Sequence, residues 1–168
     1  MADPVLVRRR LELWLPIAII AIDQLTKALV RARLRVYESV SIIPGFMDFT
    51  HVRNTGAAFG MLDGADFPLK TTVIAVIATA ALIGVGVYSA NLAAHQLLAR
   101  IGLALIVGGA AGNLIDRLWF GSVVDFVDVY WRTHHFWAFN VADSAISIGV
   151  TVMILDMLGL GAHVSKTA

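Results

Sequence analysis

The sequence predicts an all-α polytopic membrane protein with four transmembrane helices and a small β-sheet element in the first long loop. Hydrophobic residues make up 58% of the 168 residues and charged residues only 15%, whereas ordinary soluble domains carry about 25% charged residues. Mean hydropathy is +0.78. Four apolar stretches approach the roughly 20 residues that a helix needs to cross a bilayer. Composition and segment length therefore favour an integral membrane protein.

The predicted spans are residues 13–30, 71–94, 98–115 and 137–157. The second span carries no charged residue, whereas the first contains Asp23 and Lys27 and the fourth contains Asp143. The third ends just before Asp116. An ionised group in hydrocarbon costs several kcal/mol and is by default a functional hypothesis. These charges therefore mark the residues that need an explanation.

The N-terminal segment also has the pattern of a secretory signal peptide, because Arg8, Arg9 and Arg10 precede the apolar residues 13–22. No small-x-small cleavage site follows, and Asp23 and Lys27 continue the helical pattern. We expect the segment to remain as the first span.

The connection after the first span predicts a short pair of strands. The stretches "SVSII" (residues 39–43) and "MDFTHV" (residues 47–52) alternate apolar and polar residues around a Pro44-Gly45 turn. A small sheet at the membrane surface is expected here. With no linker, low-complexity tract or internal repeat, residues 1–168 are expected to form one domain.

Charge counting does not fix the orientation, because arginines flank both ends of the first span. An even number of spans places both termini on one side and the two long connections, residues 31–70 and 116–135, together on the other. Most of the polar residues gather on that second side.

Several functions are excluded or disfavoured. The net charge of +1 leaves no basic excess for a nucleic-acid partner. Without cysteine there is no thiol nucleophile or thiolate metal site. There is no HExxH motif, and the five histidines lack ligand spacing, so neither metal nor cofactor is expected. A serine and lysine dyad is disfavoured because Lys27 and Lys70 have no obvious serine partner.

Asp125 and Asp143 are the candidate catalytic pair. Each lies in a short polar break beside an apolar run, "VVDF" and "FNVADS", and 18 residues separate them. This distance allows a loop to leave the third helix and begin the fourth, so that the carboxyls face each other. Two close carboxyls in a low dielectric share one proton, so one acts as base and the other as acid. Such a pair can activate water against a peptide carbonyl. The alternative is that Asp143 caps the fourth helix and Asp125 lies in solvent.

Polar residues at helical spacing accompany the pair. Asn113, Asp116 and Arg117 share one face if the third helix continues. Asn140, Asp143, Ser144 and Ser147 repeat this spacing at the start of the fourth helix. Facing polar stripes indicate one wet site, although a helix-end salt bridge at Asp116 and Arg117 explains part of the pattern equally well.

Three further features have both functional and structural interpretations. Asp23 and Lys27 have the i, i+4 spacing of an ion pair, which either supports function or only packs. Asn54 lies in the polar corner of "RNTGAAFG", which either lines a peptide groove or forms a turn. Gly108 and Gly112 have the small-xxx-small spacing of close helix packing.

Five motifs in order resemble the bacterial lipoprotein signal peptidases, or type II signal peptidases. They are "DQLTK" (residues 23–27), "RNTGAAFG" (53–60), "GNLIDR" (112–117), "VVDF" (123–126) and "FNVADS" (139–144). The resemblance covers nearly the whole chain. "WRTHHFWA" (131–138) has no such counterpart, so the roles of His134 and His135 stay open.

The resemblance implies an aspartic endopeptidase of the bacterial inner membrane. Such an enzyme removes the signal peptide of diacylglyceryl-modified prolipoproteins just before the lipidated cysteine. Its catalytic pair maps onto Asp125 and Asp143. The expected supporting or substrate-binding residues are Asp23, Lys27, Asn54, Asn113, Asp116, Arg117 and Asn140.

The resemblance also implies cytoplasmic termini and an active site near the periplasmic face, with the sheet element outside the cytoplasm. Membrane lipid and globomycin-like cyclic peptide inhibitors are the further partners that it implies.

Two other classes of function remain open on the residues alone. In a small transporter, Asp23, Asp125 and Asp143 would bind protons or cations, but such a protein needs polar groups toward both faces of the membrane. A structural subunit would tolerate replacement of these carboxyls by amides.

Overall fold

The computed structural model describes residues 4–56, 69–92 and 96–159. Within these ranges there are four helices and four strands. In chain order they are α1 (Pro4–Arg33), β1 (Ser39–Ile43), β2 (Met47–Asn54), α2 (Lys70–Ala90), α3 (Leu97–Phe120), β3 (Val123–Trp131), β4 (His134–His135) and α4 (Val141–Met157).

Three of the helices are long and apolar enough to cross a membrane, over Leu13–Arg33, Lys70–Ser89 and Leu97–Phe120. Their outer surfaces are apolar: Trp14, Leu25 and Ile77 are 62–64% exposed, as expected for side chains that face lipid. The chain therefore has the helices of a membrane protein. At 17 residues α4 is shorter, about 26 Å at 1.5 Å per residue, and its crossing of the membrane stays a prediction.

Helix α3 packs against the other three helices. Its contact with α4 depends on the absence of side chains at Gly102, Gly109 and Gly149. A Cβ atom at Gly149 would lie 2.6 Å from the carbonyl oxygen of Gly102, and one at Gly109 would overlap the carbonyl oxygen of Ala142. Backbone therefore lies on backbone along this interface, as in other membrane helix pairs with small residues.

The strands form one antiparallel sheet in the order β1-β2-β3-β4. The predicted strand pair is confirmed: β1 covers the stretch "SVSII", and β2 begins at Met47 as expected. Gly45 makes the turn between them with a φ of +79°, a conformation that only glycine adopts freely.

The sheet is larger than predicted. It joins the first long connection to the second, because Val123–Trp131 forms β3 and pairs with β2 from Asn54 to Met47. The prediction treated the start of this segment as a break at the edge of an apolar run. Its β-branched and aromatic residues, "VVDFVDVYW", are typical of a strand.

The predicted bounds differ from the structure in all four helices. Helix α1 covers Pro4–Arg33 instead of residues 13–30. Helix α3 continues past residue 115 to Phe120, because Asp116 is buried and bonded within the bundle instead of ending the helix. Helix α4 begins at Val141 and not at residue 137, because Phe139 is hydrogen-bonded to β3 and Asn140 caps the helix. Helix α2 ends at Ala90 and not at residue 94, and Asn91 caps it; residues 93 and 94 lie outside the described residues.

The close contact of α3 with α4 predicts that Gly109→Ala destabilises the protein. The added methyl group meets backbone, which cannot rotate away, and overpacking of this kind costs about 1–3 kcal/mol. The midpoint of thermal unfolding in detergent should fall. Gly84→Ala in α2 is the control, since a Cβ atom there meets nothing within 4 Å. Equal midpoints for the two variants would contradict the packing described here.

Candidate active site

The sheet end of the helix bundle gathers the buried polar residues. Gly121 ends α3 with a φ of +70°, and this sharp turn leads directly into β3. Asp125 on β3 is therefore close to the last turns of α3, and it is only 3% exposed. Asp143 lies in the first turn of α4, whose N-terminus begins at the same end. The two aspartates come from different elements and face one region.

Asn140 connects the two carboxyl groups. Its Nδ2 donates to Asp125 Oδ1 at 2.7 Å, and its backbone N–H donates to Asp143 Oδ2 at 3.2 Å. Asn140 is completely buried. Since one residue contacts both carboxyls, their relative position is fixed by the geometry of a single amino acid.

Asp125 accepts a second amide hydrogen bond, from Asn54 Nδ2 at 3.0 Å. Burial and the neighbouring charge of Asp143 together raise the pKa of Asp125 to about 7, against the hydrogen bonds from Asn54 and Asn140, which lower it. A carboxyl with this pKa is poised to exchange a proton near neutral pH.

Asp143 has two roles at once. Its Oδ2 completes a capping box with Asn140, whose Oδ1 accepts from the Asp143 backbone N–H at 3.0 Å. Its Oδ1 accepts from Asn113 Nδ2 at 2.8 Å. The alternative interpretation is thus confirmed for the cap at Asp143 and wrong for Asp125, which is buried and not in solvent. The same cap directs the Asp143 carboxyl toward α3.

A buried ionic cluster lies behind the two aspartates. Asp23, Lys27 and Asp116 are all 0% exposed. The Lys27 ammonium contacts Asp23 Oδ2 at 2.8 Å, Asp116 Oδ2 at 3.0 Å and Asn113 Oδ1 at 2.8 Å. Arg31 approaches Asp116 to 3.6 Å, so a second cation accompanies the second carboxylate. Buried charges persist only when paired in this way.

The cluster also holds the start of α4. Asp23 Oδ1 accepts from the backbone N–H of Ala142 at 3.0 Å, which supplies an acceptor for one of the free N–H groups of that helix end. Asp23 packs directly on α3, since a Cβ atom at Gly112 would lie 2.6 Å from its Oδ2. The carboxylate thus joins three helices at the residue next to Asp143.

Arg117 links α3 to the chain after β2. Its Nη2 donates to the carbonyl oxygen of Gly56 at 2.8 Å and its Nη1 to that of Asn113 at 3.2 Å. The Gly56 N–H in turn donates to Asn54 Oδ1 at 2.8 Å, which orients the amide that reaches Asp125.

A cavity of about 340 Å³ opens beside the carboxyls. Its polar wall contains Asn54, Asn113, Arg117, Asp125 and Asp143. The rest of its lining is almost entirely apolar and comes from α2, α3, α4 and the segment before α4: Ile74, Ile77, Ala78, Ala81, Ala110, Val123, Phe136, Trp137, Ala138, Phe139, Ile146 and Ser147. Apolar walls with a few convergent polar groups are typical of a binding site.

All nine predicted site residues belong to one connected network. The structure adds two members that the sequence analysis did not assign. Gln24 Nε2 donates to Asp116 Oδ1 at 3.3 Å and to the Gly112 carbonyl at 3.1 Å, and Arg31 pairs with Asp116. The sequence signal for Gln24 was its position directly after Asp23, an aspartate within a predicted span.

His134 and His135 lie away from this network. They form β4, and His135 contacts Asp128 at 2.9 Å and stacks on Tyr130. Of the motif "RNTGAAFG", residues 57–60 lie outside the described residues. Among the described residues, no three His, Asp or Glu side chains are placed to hold a metal ion.

The chain is similar to known proteins in both sequence and structure. Residues 15–159 match the sequence profile of the Signal peptidase (SPase) II family. The lipoprotein signal peptidase of Geobacter metallireducens is 45% identical over 83% of this chain and 85% of the relative. That of Shewanella piezotolerans is 42% identical over 92% and 89%. A bacterial membrane enzyme solved by the in meso method at 2.3 Å has a TM-score of 0.78 and 31% identity, covering 94% of this chain and 92% of that one.

The two roles of Asn140 can be separated by substitution. Asn140→Ala removes both the cap of α4 and the donor to Asp125, and loss of a cap costs about 0.5–2 kcal/mol. Asn140→Ser retains a hydroxyl cap but not the amide donor. We expect a lower midpoint of thermal unfolding for the alanine variant than for the serine variant. Equal midpoints would show that the cap contributes nothing.

Proposed function

The chain belongs to the signal peptidase II family, and from its buried pair of aspartates we propose that it is an intramembrane aspartic endopeptidase. It removes the signal peptide from diacylglyceryl-modified prolipoproteins and cleaves on the N-terminal side of the lipidated cysteine. Asp125 and Asp143 are its catalytic residues.

The observation that supports the aspartic mechanism best is the bridge through Asn140. Two carboxyls held by one residue, through its side-chain amide and its backbone N–H, at the wall of an apolar cavity cannot both ionise easily, so they share a proton. Neutral amides from Asn54, Asn113 and Asn140 complete their hydrogen bonds without adding charge. Aspartic peptidases need this arrangement, in which one carboxyl accepts a proton and the other donates one.

The reaction follows from that arrangement. One carboxylate takes a proton from water, the water oxygen bonds to the scissile carbonyl carbon, and the second carboxyl protonates the carbonyl oxygen. The tetrahedral diol then collapses: the carbon–nitrogen bond breaks, the nitrogen takes the proton from the first carboxyl, and a diol hydroxyl returns a proton to the second. The dyad ends in its initial state.

The lining of the cavity suits a peptide with an attached lipid. Ile74, Ile77 and Ile146 offer an apolar surface, while Arg117 lines the same cavity. Arg117 Nε is buried and has no hydrogen-bond partner within the described residues. A substrate carbonyl supplies the acceptor that this donor needs. Membrane lipid is the second expected partner, and globomycin-like cyclic peptides are the expected inhibitors of this site.

The proposal includes a topology. The chain forms one inner-membrane peptidase domain with four spans, α4 being the fourth, and the sheet and active site lie near the periplasmic face with both termini in the cytoplasm. Since all four helices have one end at the sheet, an even number of crossings places the termini together.

Cleavage of one prolipoprotein peptide, supplied with and without its diacylglyceryl group, tests the function. We expect the purified protein to cut only the lipidated peptide, before the modified cysteine. Asp125→Asn and Asp143→Asn should each lose at least about 100-fold in turnover, because an amide preserves the shape but transfers no proton.

Arg117→Ala and Asn54→Ala serve as matched variants at the same cavity, and we expect smaller losses from them. Substantial cleavage by both amide variants of the aspartates would refute the dyad. Cleavage of the unlipidated peptide at the same rate would refute the substrate class. Equal losses in all four variants would refute the division between catalytic and supporting residues.

The pH dependence of cleavage follows from Asp125. Because its pKa is about 7, a dyad that needs one proton loses activity as the pH rises through about 7. The hydrogen bond from Asn54 stabilises the ionised form and so lowers this pKa. In the Asn54→Ala variant the pKa therefore rises, and the alkaline limb of the kcat/KM profile should move upward by roughly one pH unit. A downward shift would contradict the role assigned to Asn54.

A further inference from the structure

Lys27 does not line the cavity, and it reaches the two carboxyls unequally: Asn113 alone links it to Asp143, whereas Asn113 and Asn140 together link it to Asp125. We propose that Lys27 is a positioning residue: through the Asn113 amide it holds Asp143 as the ionised member of the pair, and the shared proton resides on Asp125. This inference rests on the proposed function, and it assigns the acid and the base within it.

The orientation of the Asn113 amide is determined by its neighbours. The Lys27 ammonium can only donate, so the atom that it meets at 2.8 Å must be the amide oxygen. Asn140 Nδ2 donates to the same oxygen at 3.2 Å. The NH2 group of Asn113 must therefore point the other way, and it donates to Asp143 Oδ1 at 2.8 Å.

Both oxygens of Asp143 consequently face donors. Oδ1 receives the Asn113 amide, and Oδ2 receives the backbone N–H of Asn140, which cannot accept in return. Hydrogen bonds to the charged form of a carboxyl favour that form. Asp125 also accepts two amide hydrogen bonds, so the number of donors does not distinguish the carboxyls, and the difference lies in the cation behind Asn113. The charged groups that act on Asp143 are Lys27 from α1 and Arg117 from α3, both cations, and Asp125 from β3.

The amides that reach Asp125 are anchored differently. Asn54 is oriented by the backbone N–H of Gly56, and Asn140 by the backbone N–H of Asp143. The Nδ2 of Asn140 also donates to Asn113 Oδ1, the oxygen that Lys27 contacts, so Lys27 reaches Asp125 through two amides and Asp143 through one. Asp125 is also the carboxyl whose burial raises its pKa to about 7, which agrees with its holding the proton.

The assignment gives each carboxyl one task. Asp143 takes the proton from the attacking water, and Asp125 donates its proton to the carbonyl oxygen as the new carbon–oxygen bond forms. Lys27 never touches the substrate. Its contribution is to keep Asn113 from rotating its oxygen toward Asp143, which would place two acceptors against each other.

Infrared spectroscopy tests where the proton resides, without requiring activity. We would titrate the full-length protein in detergent from about pH 8 to about pH 5 and follow the C=O stretch of a protonated, buried carboxyl, whose transition should centre near the pKa of Asp125, about 7. We expect the band in the wild-type protein and in Asp143→Asn, and its loss in Asp125→Asn. Loss in Asp143→Asn with retention in Asp125→Asn would overturn the assignment.

The pH profile of cleavage tests Lys27. In Lys27→Met, the Asn113 amide is free to turn and the cation is gone, so Asp143 takes up a proton more readily. The acid limb of kcat/KM should move upward by about one pH unit or more, which is the effect expected from loss of one nearby opposite charge. The change should fall on kcat and leave KM within about twofold.

A purely structural role gives a different result. Lys27→Met would then lower the midpoint of thermal unfolding and the yield but leave both limbs of the profile in place, and the proposal would be wrong. Because this variant leaves Asp23 and Asp116 without their cation, Asp23→Asn/Lys27→Met/Asp116→Asn is the second variant. It leaves no carboxylate without Lys27, while Arg31, which is 26% exposed, loses its contact with Asp116. It should show the same shift of the acid limb.

The outcomes also separate this inference from the proposed function. If both amide variants of the aspartates still cleave substrate, the aspartic mechanism itself fails. If both are inactive but the infrared band or the acid limb behaves contrary to expectation, only the assignment of the proton and the role of Lys27 fail.

Discussion

The buried ammonium of Lys27 is the constraint on which the rest of the site depends. A cation with no exposed surface inside a membrane protein must be surrounded by acceptors, and here they come from two helices: Asp23 on α1, and Asn113 and Asp116 on α3. Asp23 then reaches a third helix at the Ala142 N–H. The pairing of the Lys27 ammonium thus fixes the position of the N-terminus of α4. Asn140, which caps this N-terminus, contacts both carboxyls of the proposed dyad.

The position of this network along the bundle favours chemistry at one membrane face over transport. The network, the cavity and the N-terminus of α4 all lie at the sheet end, while the exposed surfaces of α1 and α2 are apolar. A transport pathway needs polar groups toward both faces. Asp156, near the other end of α4, is the only acidic residue of the described span regions there. Polar groups concentrated at one depth suit a substrate whose scissile bond is held at that depth by an attached lipid.

Sequence analysis predicted the parts of the structure that depend on local pattern. The strand pair around Gly45 and the shared face of Asn113, Asp116 and Arg117 followed from periods of two and of 3.6 residues. What it missed depends on contacts between distant segments. Local pattern places Asp125 in a loop between helices, because the pairing of its segment with β2 cannot be read from either strand alone. Neither motif alone predicts that Asp116 and Asp23 contact the same lysine, because 93 residues separate the two aspartates.

Three asparagines explain how two carboxyls can be positioned in a low dielectric without a cation in direct contact with both of them. An arginine or lysine in direct contact with both would hold both ionised and remove the proton that the proposed reaction needs. An amide has one donating and one accepting end, so its direction is set by whatever it meets on the far side. Asn54 and Asn140 meet backbone N–H groups, whereas Asn113 meets the Lys27 ammonium. The Lys27 ammonium is therefore one amide away from Asp143 and two amides away from Asp125, which makes two chemically identical side chains unequal.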